Sequence, residues 1–78
     1  MRFNVYGKPN CPFCDKAKAL LELKGLEYAY IDVSTNAGAR EMLVESGFRS
    51  VPQVYKADEH GEDIEHIGGY DTLSKMLG

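Results

Sequence analysis

Two cysteines, Cys11 and Cys14, are the residues of this chain with the clearest potential for chemistry. They are the only cysteines among 78 residues, and two positions separate them. A disulfide that closes so short a loop removes little chain entropy, so it would make a poor structural cross-link. Thiol–disulfide exchange needs one sulfur that attacks and a second that releases the product. The pair therefore predicts redox chemistry.

The sequence around the pair predicts where in the fold that chemistry takes place. Residues 7–10 have the composition of a turn, and Pro12 suits the first turn of a helix. Cys11 would then lie at the helix N-terminus, where free N–H groups and the helix dipole favour a thiolate. With Lys8 as a nearby cation, we expect a pKa below the ~8.5 of free cysteine. Cys14 would be shielded one turn further in, so Cys11 should attack and Cys14 should resolve the mixed disulfide.

Two other interpretations of the cysteines are weaker. Cys14 alone could be a buried structural cysteine, because free cysteine packs like a small apolar residue. Zinc would need about four ligands, and only His60 and His66 remain, at a spacing unlike that of a zinc finger. A C-x-x-C motif next to a βαβ pattern indicates a redox site first, and we expect no metal.

The elements that must position the pair alternate along the chain. The predicted strands cover residues 3–6, 26–33, 51–56 and 62–67. The predicted helices cover residues 12–24 and 70–77, and a middle helix starts after one of three possible N-caps, residues 34–36, and runs to about residue 46. The order is βαβαββα. A right-handed crossover through the first helix makes the first two strands parallel, and the last two should form an antiparallel hairpin. We expect an α/β fold in which residues 1–78 form a single domain.

Composition narrows the range of functions. The chain has 9 Lys and Arg against 12 Asp and Glu, for a net charge of −3, whereas nucleic-acid binding needs a basic surplus. No apolar run approaches the roughly 20 residues that span a bilayer, and the first residues do not resemble an export signal. We therefore expect a cytoplasmic protein without nucleic-acid or membrane partners, and we also expect a monomer.

Three separated segments together resemble the glutaredoxin family. Residues 8–14 (KPNCPFC) resemble the K-x-x-C-P-Y/F-C active site of dithiol glutaredoxins. Residues 50–54 (SVPQV) resemble their T-V-P-Q loop, and residues 66–71 (HIGGYD) resemble their I-G-G-x-D turn. The segments follow one another in the family's order and spacing. The resemblance implies a thioredoxin-like fold with a four-stranded mixed sheet of order 2-1-3-4, flanked on both faces by three helices.

The resemblance also implies a glutathione site beside the cysteines. Pro52 would be cis and face Cys11, and Val51 would offer its backbone N–H and C=O to the cysteinyl part of glutathione. Asp71 and Thr72, at the start of the last helix, would hold the γ-glutamyl end. The remaining contributors would be Lys8 and Arg40 at the glycine carboxylate, and Phe13 as an apolar wall beside the sulfur.

Several of these residues also have structural interpretations. Lys8 and Arg40 could be solvated surface charges, and Asp71 could act only as a helix N-cap. His60 and His66 should be ordinary hairpin residues. Four tyrosines should pack in the core or across strands: Tyr6, Tyr28, Tyr30 and Tyr55.

The chain departs from the family pattern at a few positions. Phe13 replaces the commoner tyrosine, and Ser50 replaces a threonine. Thr72 stands where many members carry an aspartate, which weakens the expected grip on the ammonium of glutathione. Residues 46–49 (SGFR) resemble a stretch of glutaredoxin-like carriers that receive electrons from thioredoxin reductase.

The leading hypothesis is a glutathione-dependent oxidoreductase that reduces protein disulfides and glutathione mixed disulfides. Family analogy alone suggests ribonucleotide reductase as a protein partner. A second hypothesis keeps the fold and makes thioredoxin reductase the electron source. A third is an iron–sulfur cluster-binding dimer, ligated by Cys11 and glutathione from each subunit. Pro12 argues against the third, because cluster-binding members usually carry a smaller residue there.

Overall fold

A computed structural model describes all 78 residues, and its elements follow the predicted order βαβαββα. The strands are β1 (Arg2–Gly7), β2 (Glu27–Asp32), β3 (Gln53–Ala57) and β4 (Asp63–Gly68). The helices are α1 (Pro12–Leu23), α2 (Ala37–Glu45) and α3 (Tyr70–Leu77). None of the three helices combines the length and the apolar character that crossing a membrane would require.

The four strands form one mixed sheet in the order β2-β1-β3-β4, as the resemblance implied. Strand β1 is parallel to β2 and antiparallel to β3, and β3 is antiparallel to β4. Val5 of β1 lies opposite Tyr30 on one side and Val54 on the other. The fold is thioredoxin-like, and the central position of β1 places the Cys11 segment that follows it at the middle of one sheet edge.

The hydrophobic core lies between the sheet and the pair of helices α1 and α3. Its fully buried members are Phe3, Val5, Ala17, Leu21, Val54 and Leu73. Phe3 and Val5 alternate along β1, so both point to the same face, while Ala17 and Leu21 are one helical turn apart. Burial of each large apolar side chain contributes about 1.5–3 kcal/mol. This core holds α1, and therefore the cysteine pair, against the sheet.

Helix α2 covers the opposite face of the sheet. Tyr6 and Tyr55 point to that face, where their rings meet edge to face with centroids 5.5 Å apart. The Tyr55 hydroxyl approaches Sδ of Met42 in α2 at 3.8 Å. Asp63 fastens the hairpin to β1 by accepting hydrogen bonds from the Tyr6 hydroxyl at 2.6 Å and the Asn4 amide at 2.7 Å. The predicted cross-strand packing of Tyr6 and Tyr55 is confirmed.

Two predicted strand boundaries are wrong for identifiable reasons. Leu26 was expected in β2, but its N–H donates to the Leu21 carbonyl at 3.0 Å while Gly25, at φ 68°, donates to Glu22 at 3.1 Å. This bond pair is the Schellman end of α1, so Leu26 belongs to the helix cap. Strand β3 begins at Gln53, after Pro52, because proline has no N–H to donate to the sheet.

Candidate active site

Cys11 is the N-cap of α1. Its backbone is extended, at φ −117° and ψ 100°, and Pro12 is the first helical residue. The backbone N–H of Cys14 donates to Sγ of Cys11 at 3.2 Å. The sulfur thus takes the place that a serine or aspartate oxygen usually occupies at a helix N-terminus. An anion at this position is stabilised by the helix dipole and by the free N–H groups.

The two sulfurs are joined in a disulfide, and the Cα atoms of Cys11 and Cys14 are 5.2 Å apart. Cys11 retains 8% of its surface, whereas Cys14 is completely buried. Only Cys11 can therefore be reached by a substrate sulfur without opening the structure. This difference in exposure favours Cys11 as the attacking residue.

The loop before β3 lies directly against the cysteine pair. The Val51–Pro52 peptide bond is cis, as the resemblance implied. The carbonyl oxygen of Val51 is 3.9 Å from Sγ of Cys11. Pro52 is buried, and Val51 is partly exposed beside the sulfur. A bound thiol peptide at Cys11 would therefore meet the backbone of Val51.

A groove of about 340 Å³ runs from the cysteine segment to the start of α3. We call it the helix-3 groove, and five predicted site residues line it: Phe13, Val51, Pro52, Asp71 and Thr72. The Phe13 ring is 52% exposed, and its centroid lies 6.0 Å from that of Tyr70. The alternative role of Asp71 as an N-cap is wrong, because Gly69 is the N-cap of α3 and contributes no side-chain hydrogen bond.

A second groove, of about 730 Å³, lies between the cysteine segment and α2. We call it the helix-2 groove. It is lined by Cys11 and by Lys8 and Arg40, the two basic residues that were predicted to belong to the site. Val51 lines both grooves. Eight of the nine predicted site residues thus line one or both grooves. The ninth, Cys14, is completely buried.

The helix-2 groove also contains residues that were not predicted to belong to the site. Arg49 and Phe48 line it, together with Val44 of α2. The similarity of residues 46–49 to a carrier motif was the only sequence signal for Phe48 and Arg49, and Val44 had none. Their position depends on how α2 packs on the sheet, which the local sequence does not specify.

His66 was expected to be an ordinary hairpin residue, and this expectation is wrong. Its ring stacks on Phe48 with centroids 4.3 Å apart, and its Nε2 atom lies 2.8 Å from Oε1 of Gln53. The Gln53 amide donates in turn to the Ser50 carbonyl at 2.9 Å. This chain of contacts links β4 to the loop that carries Val51. Gln53 is buried and was not predicted as a site residue.

Tyr30 and Gly7 close the inner side of the cysteine pair. The Tyr30 hydroxyl donates to the Lys8 carbonyl at 3.2 Å, and the Lys18 ammonium lies 4.2 Å from the Tyr30 ring centroid. Burial raises the pKa of Tyr30, and the negative charges of Asp15 and Asp32 raise it further. A Cβ atom on Gly7 would overlap Tyr30 and would come within 2.9 Å of Sγ of Cys14. Glycine is needed here because the backbone passes so close to the disulfide.

A C-x-x-C disulfide at the N-terminus of the first helix of a thioredoxin-like fold defines a thiol–disulfide oxidoreductase. The glutaredoxin family model matches residues 4–60. Glutaredoxin 3 of Escherichia coli (strain K12) is 41% identical over 70 residues, covering 88% of this chain and 77% of that protein. A probable glutaredoxin of Synechocystis is 34% identical over 79 residues, covering 99% and 83%. The chain belongs to the glutaredoxin family.

Solved structures show the same architecture. The glutaredoxin-like NrdH-redoxin from Escherichia coli, described as having a thioredoxin-like activity profile, is similar with a TM-score of 0.79 and 27% identity. That similarity covers 99% of this chain and 91% of the other. A buckwheat glutaredoxin–glutathione complex is similar with a TM-score of 0.71 and 28% identity, covering 94% and 64%.

Proposed function

We propose that this oxidoreductase uses glutathione as its reductant, with Cys11 as the nucleophile and Cys14 as the resolving residue. The Cys11 thiolate attacks one sulfur of a substrate disulfide. A new S–S bond forms as the old one breaks, and the departing thiolate takes up a proton. Cys14 then attacks Sγ of Cys11, which releases the second substrate thiol and leaves the Cys11–Cys14 disulfide.

Glutathione completes the cycle. Two glutathione molecules each contribute one electron, return the cysteine pair to the dithiol, and leave together as glutathione disulfide. When the substrate is a glutathionylated protein, Cys11 attacks the glutathione sulfur and releases the protein thiol. A second glutathione can then resolve the mixed disulfide without Cys14.

The helix-3 groove is the observation that carries this proposal. It leads from Val51, beside Sγ of Cys11, to the first turn of α3, where Asp71 and Thr72 lie. Backbone groups of Val51 can pair with the cysteinyl unit of glutathione as an added strand would. The N–H groups of α3 suit its γ-glutamyl carboxylate, because no side chain caps them. Lys8 and Arg40 would meet its glycine carboxylate.

Thioredoxin reductase is the second candidate electron source. The observation that favours it is the similarity to NrdH-redoxin, which extends over 99% of this chain. Residues 47–49, from the segment that resembles reductase-dependent carriers, line the helix-2 groove next to Cys11. A reductase that docks there would reach the same disulfide.

A comparison of reductants tests the proposal. Initial rates on one disulfide substrate are measured with glutathione, glutathione reductase and NADPH, and separately with thioredoxin reductase and NADPH. The glutathione system should sustain the faster turnover. Faster turnover with thioredoxin reductase would reject glutathione dependence, and no turnover with either would reject the proposed cycle.

We propose further that the protein acts as a single domain over residues 1–78, in the cytoplasm. Disulfide-bearing and glutathionylated proteins are its proposed substrates, and ribonucleotide reductase is a proposed partner by family analogy alone. The expectation of a monomer stays a prediction, as does the absence of nucleic-acid partners.

A further inference from the structure

The helix-2 groove collects positive charge in an acidic protein. Lys8, Arg40 and Arg49 line it, and no aspartate or glutamate does, although the chain has a net charge of −3. All three cations are exposed, and none of them takes part in an ion pair. Uncompensated charges of one sign in a cleft raise the local concentration of oppositely charged ligands.

The basic residue of helix α2 lies on one side of the helix, and its acidic residues lie on the other. Arg40, Leu43 and Val44 follow helical spacing and face the helix-2 groove. Glu41 and Glu45 line a separate depression on the other side of the helix. The acidic residues of α2 therefore do not neutralise the groove.

Part of the helix-2 groove is apolar, and glutathione would not use that part. Val44 is 66% exposed, and Phe48 and Val33 extend the apolar lining. Glutathione is built from glutamate, cysteine and glycine, none of which has an apolar side chain to place there. Its glycine carboxylate would engage Lys8 and Arg40, which leaves Arg49 and the apolar lining without an occupant. The features beyond the glutathione site fit a larger, anionic ligand.

We propose that the helix-2 groove binds an acidic, partly apolar segment next to the disulfide of a protein substrate. A carboxylate of that segment meets Arg49, and an apolar side chain packs on Val44 and Phe48. Cys11 lines the helix-2 groove, so a disulfide next to a segment bound there can reach its sulfur. This inference rests on the proposed attack by Cys11 and names the class of protein substrate that it favours.

A matched pair of peptides tests the proposal. Each peptide has one intramolecular disulfide with a leucine beside it, flanked by glutamates in one peptide and by glutamines in the other. Fully reduced protein is mixed with each oxidised peptide, and the second-order rate constant of exchange is measured, so no external reductase is involved. The glutamate peptide should react about three- to tenfold faster at low ionic strength. The ratio should shrink towards one as salt screens the charges.

Two variants locate the effect. Arg49→Gln should lower the ratio of the two rate constants at least twofold. Lys24→Gln removes the same charge from the far end of α1, about 20 Å from Cys11 along the helix, and should leave the ratio unchanged. If Arg49→Gln and Lys24→Gln have the same effect, the groove is not the docking site.

The outcomes separate this inference from the proposed function. Equal rates for the two peptides would overturn acidic docking and leave the proposed exchange at Cys11 intact. Failure of the reduced protein to exchange with either peptide would overturn both. A faster reaction of the glutamine peptide would also overturn the inference.

Discussion

The backbone N–H of Cys14 donates a hydrogen bond to Sγ of Cys11, so the sulfur that caps α1 belongs to the cysteine that is not completely buried. Hydrogen bonds to an ionised acceptor are about twice as strong as those between neutral groups. A thiolate at Cys11 would therefore gain more from this amide than a thiol would. The same amide belongs to Cys14, the proposed resolving residue, so the cap also holds the two sulfurs in reach of each other.

The two cysteines should respond differently to substitution. Cys11→Ser should abolish reduction of every disulfide substrate, because it removes the only cysteine sulfur that is not completely buried. Cys14→Ser should retain reduction of glutathione mixed disulfides, where a second glutathione resolves the intermediate. Rates of both variants on a glutathionylated and an intramolecular disulfide substrate give the comparison. Retained activity in Cys11→Ser with loss in Cys14→Ser would reverse the assigned roles.

Gly7→Ala should destabilise the fold. The new methyl group would overlap Tyr30 and press on the buried Cys14 sulfur, and overpacking of this kind costs typically about 1–3 kcal/mol. Urea unfolding of the oxidised protein measures the change in the free energy of unfolding.

Gly38→Ala is the matched control for Gly7→Ala. Gly38 lies in α2, and the nearest atom to an added Cβ is Oδ1 of Asn36, at 3.6 Å. Alanine in a helix is more favourable than glycine by about 0.5–1 kcal/mol, so this variant should be stabilised. A Gly7→Ala variant that is destabilised no more than Gly38→Ala would contradict the close approach at Gly7.

The stability contributed by Tyr6 should be lost at high pH. Burial, first, and the hydrogen bond to Asp63, second, raise the pKa of Tyr6 above its ordinary value of 10.0. Below pH ~10 the Tyr6 hydroxyl is neutral in both the folded and the unfolded protein. Above pH ~10 this hydroxyl ionises in the unfolded protein first, so the free energy of unfolding falls as the pH rises. The stability difference between wild type and Tyr6→Phe should therefore shrink by about 1 kcal/mol between pH 9 and 11. Urea unfolding across this range measures it, and a constant difference would show that Tyr6 ionises equally in both states.

The Gln53 amide should stabilise the loop before β3 more than His66 does. Gln53→Leu removes the hydrogen bonds to both Ser50 and His66 and should cost about 1–3 kcal/mol. His66→Phe keeps a ring on Phe48 and removes a single hydrogen bond, so it should cost about 0.5–1.5 kcal/mol. Thermal or urea unfolding of both variants ranks them. A larger loss in His66→Phe than in Gln53→Leu would contradict this order.

The parts of the fold that depend on local signals could be predicted from the sequence. The turn composition before Cys11 and the proline after it predicted the start of α1, and alternation along residues 3–6 predicted β1. Leu26 was misplaced because its apolar side chain fits a strand pattern, while its N–H completes the end of α1. A backbone hydrogen bond of that kind leaves no mark in side-chain periodicity.

The site was predicted less completely than the fold. Motif resemblance identified Lys8, Val51 and Asp71, which come from separate segments of the chain and line the two grooves beside the loop before β3. Arg49 and Gln53 also lie in segments that resemble family motifs, but no site role was assigned to either residue. Their roles arise from the packing of α2 and β4 against the loop before β3, and contacts between distant segments cannot be deduced from one sequence.

The ionisation of Cys11 tests the account most directly. The rate of alkylation of the reduced protein is followed as a function of pH, and mass spectrometry assigns the modified residue. We predict that Cys11 reacts first, with a midpoint well below the ~8.5 of free cysteine. A midpoint at or above ~8.5, or preferential reaction of Cys14, would contradict the account of a thiolate stabilised at the start of α1.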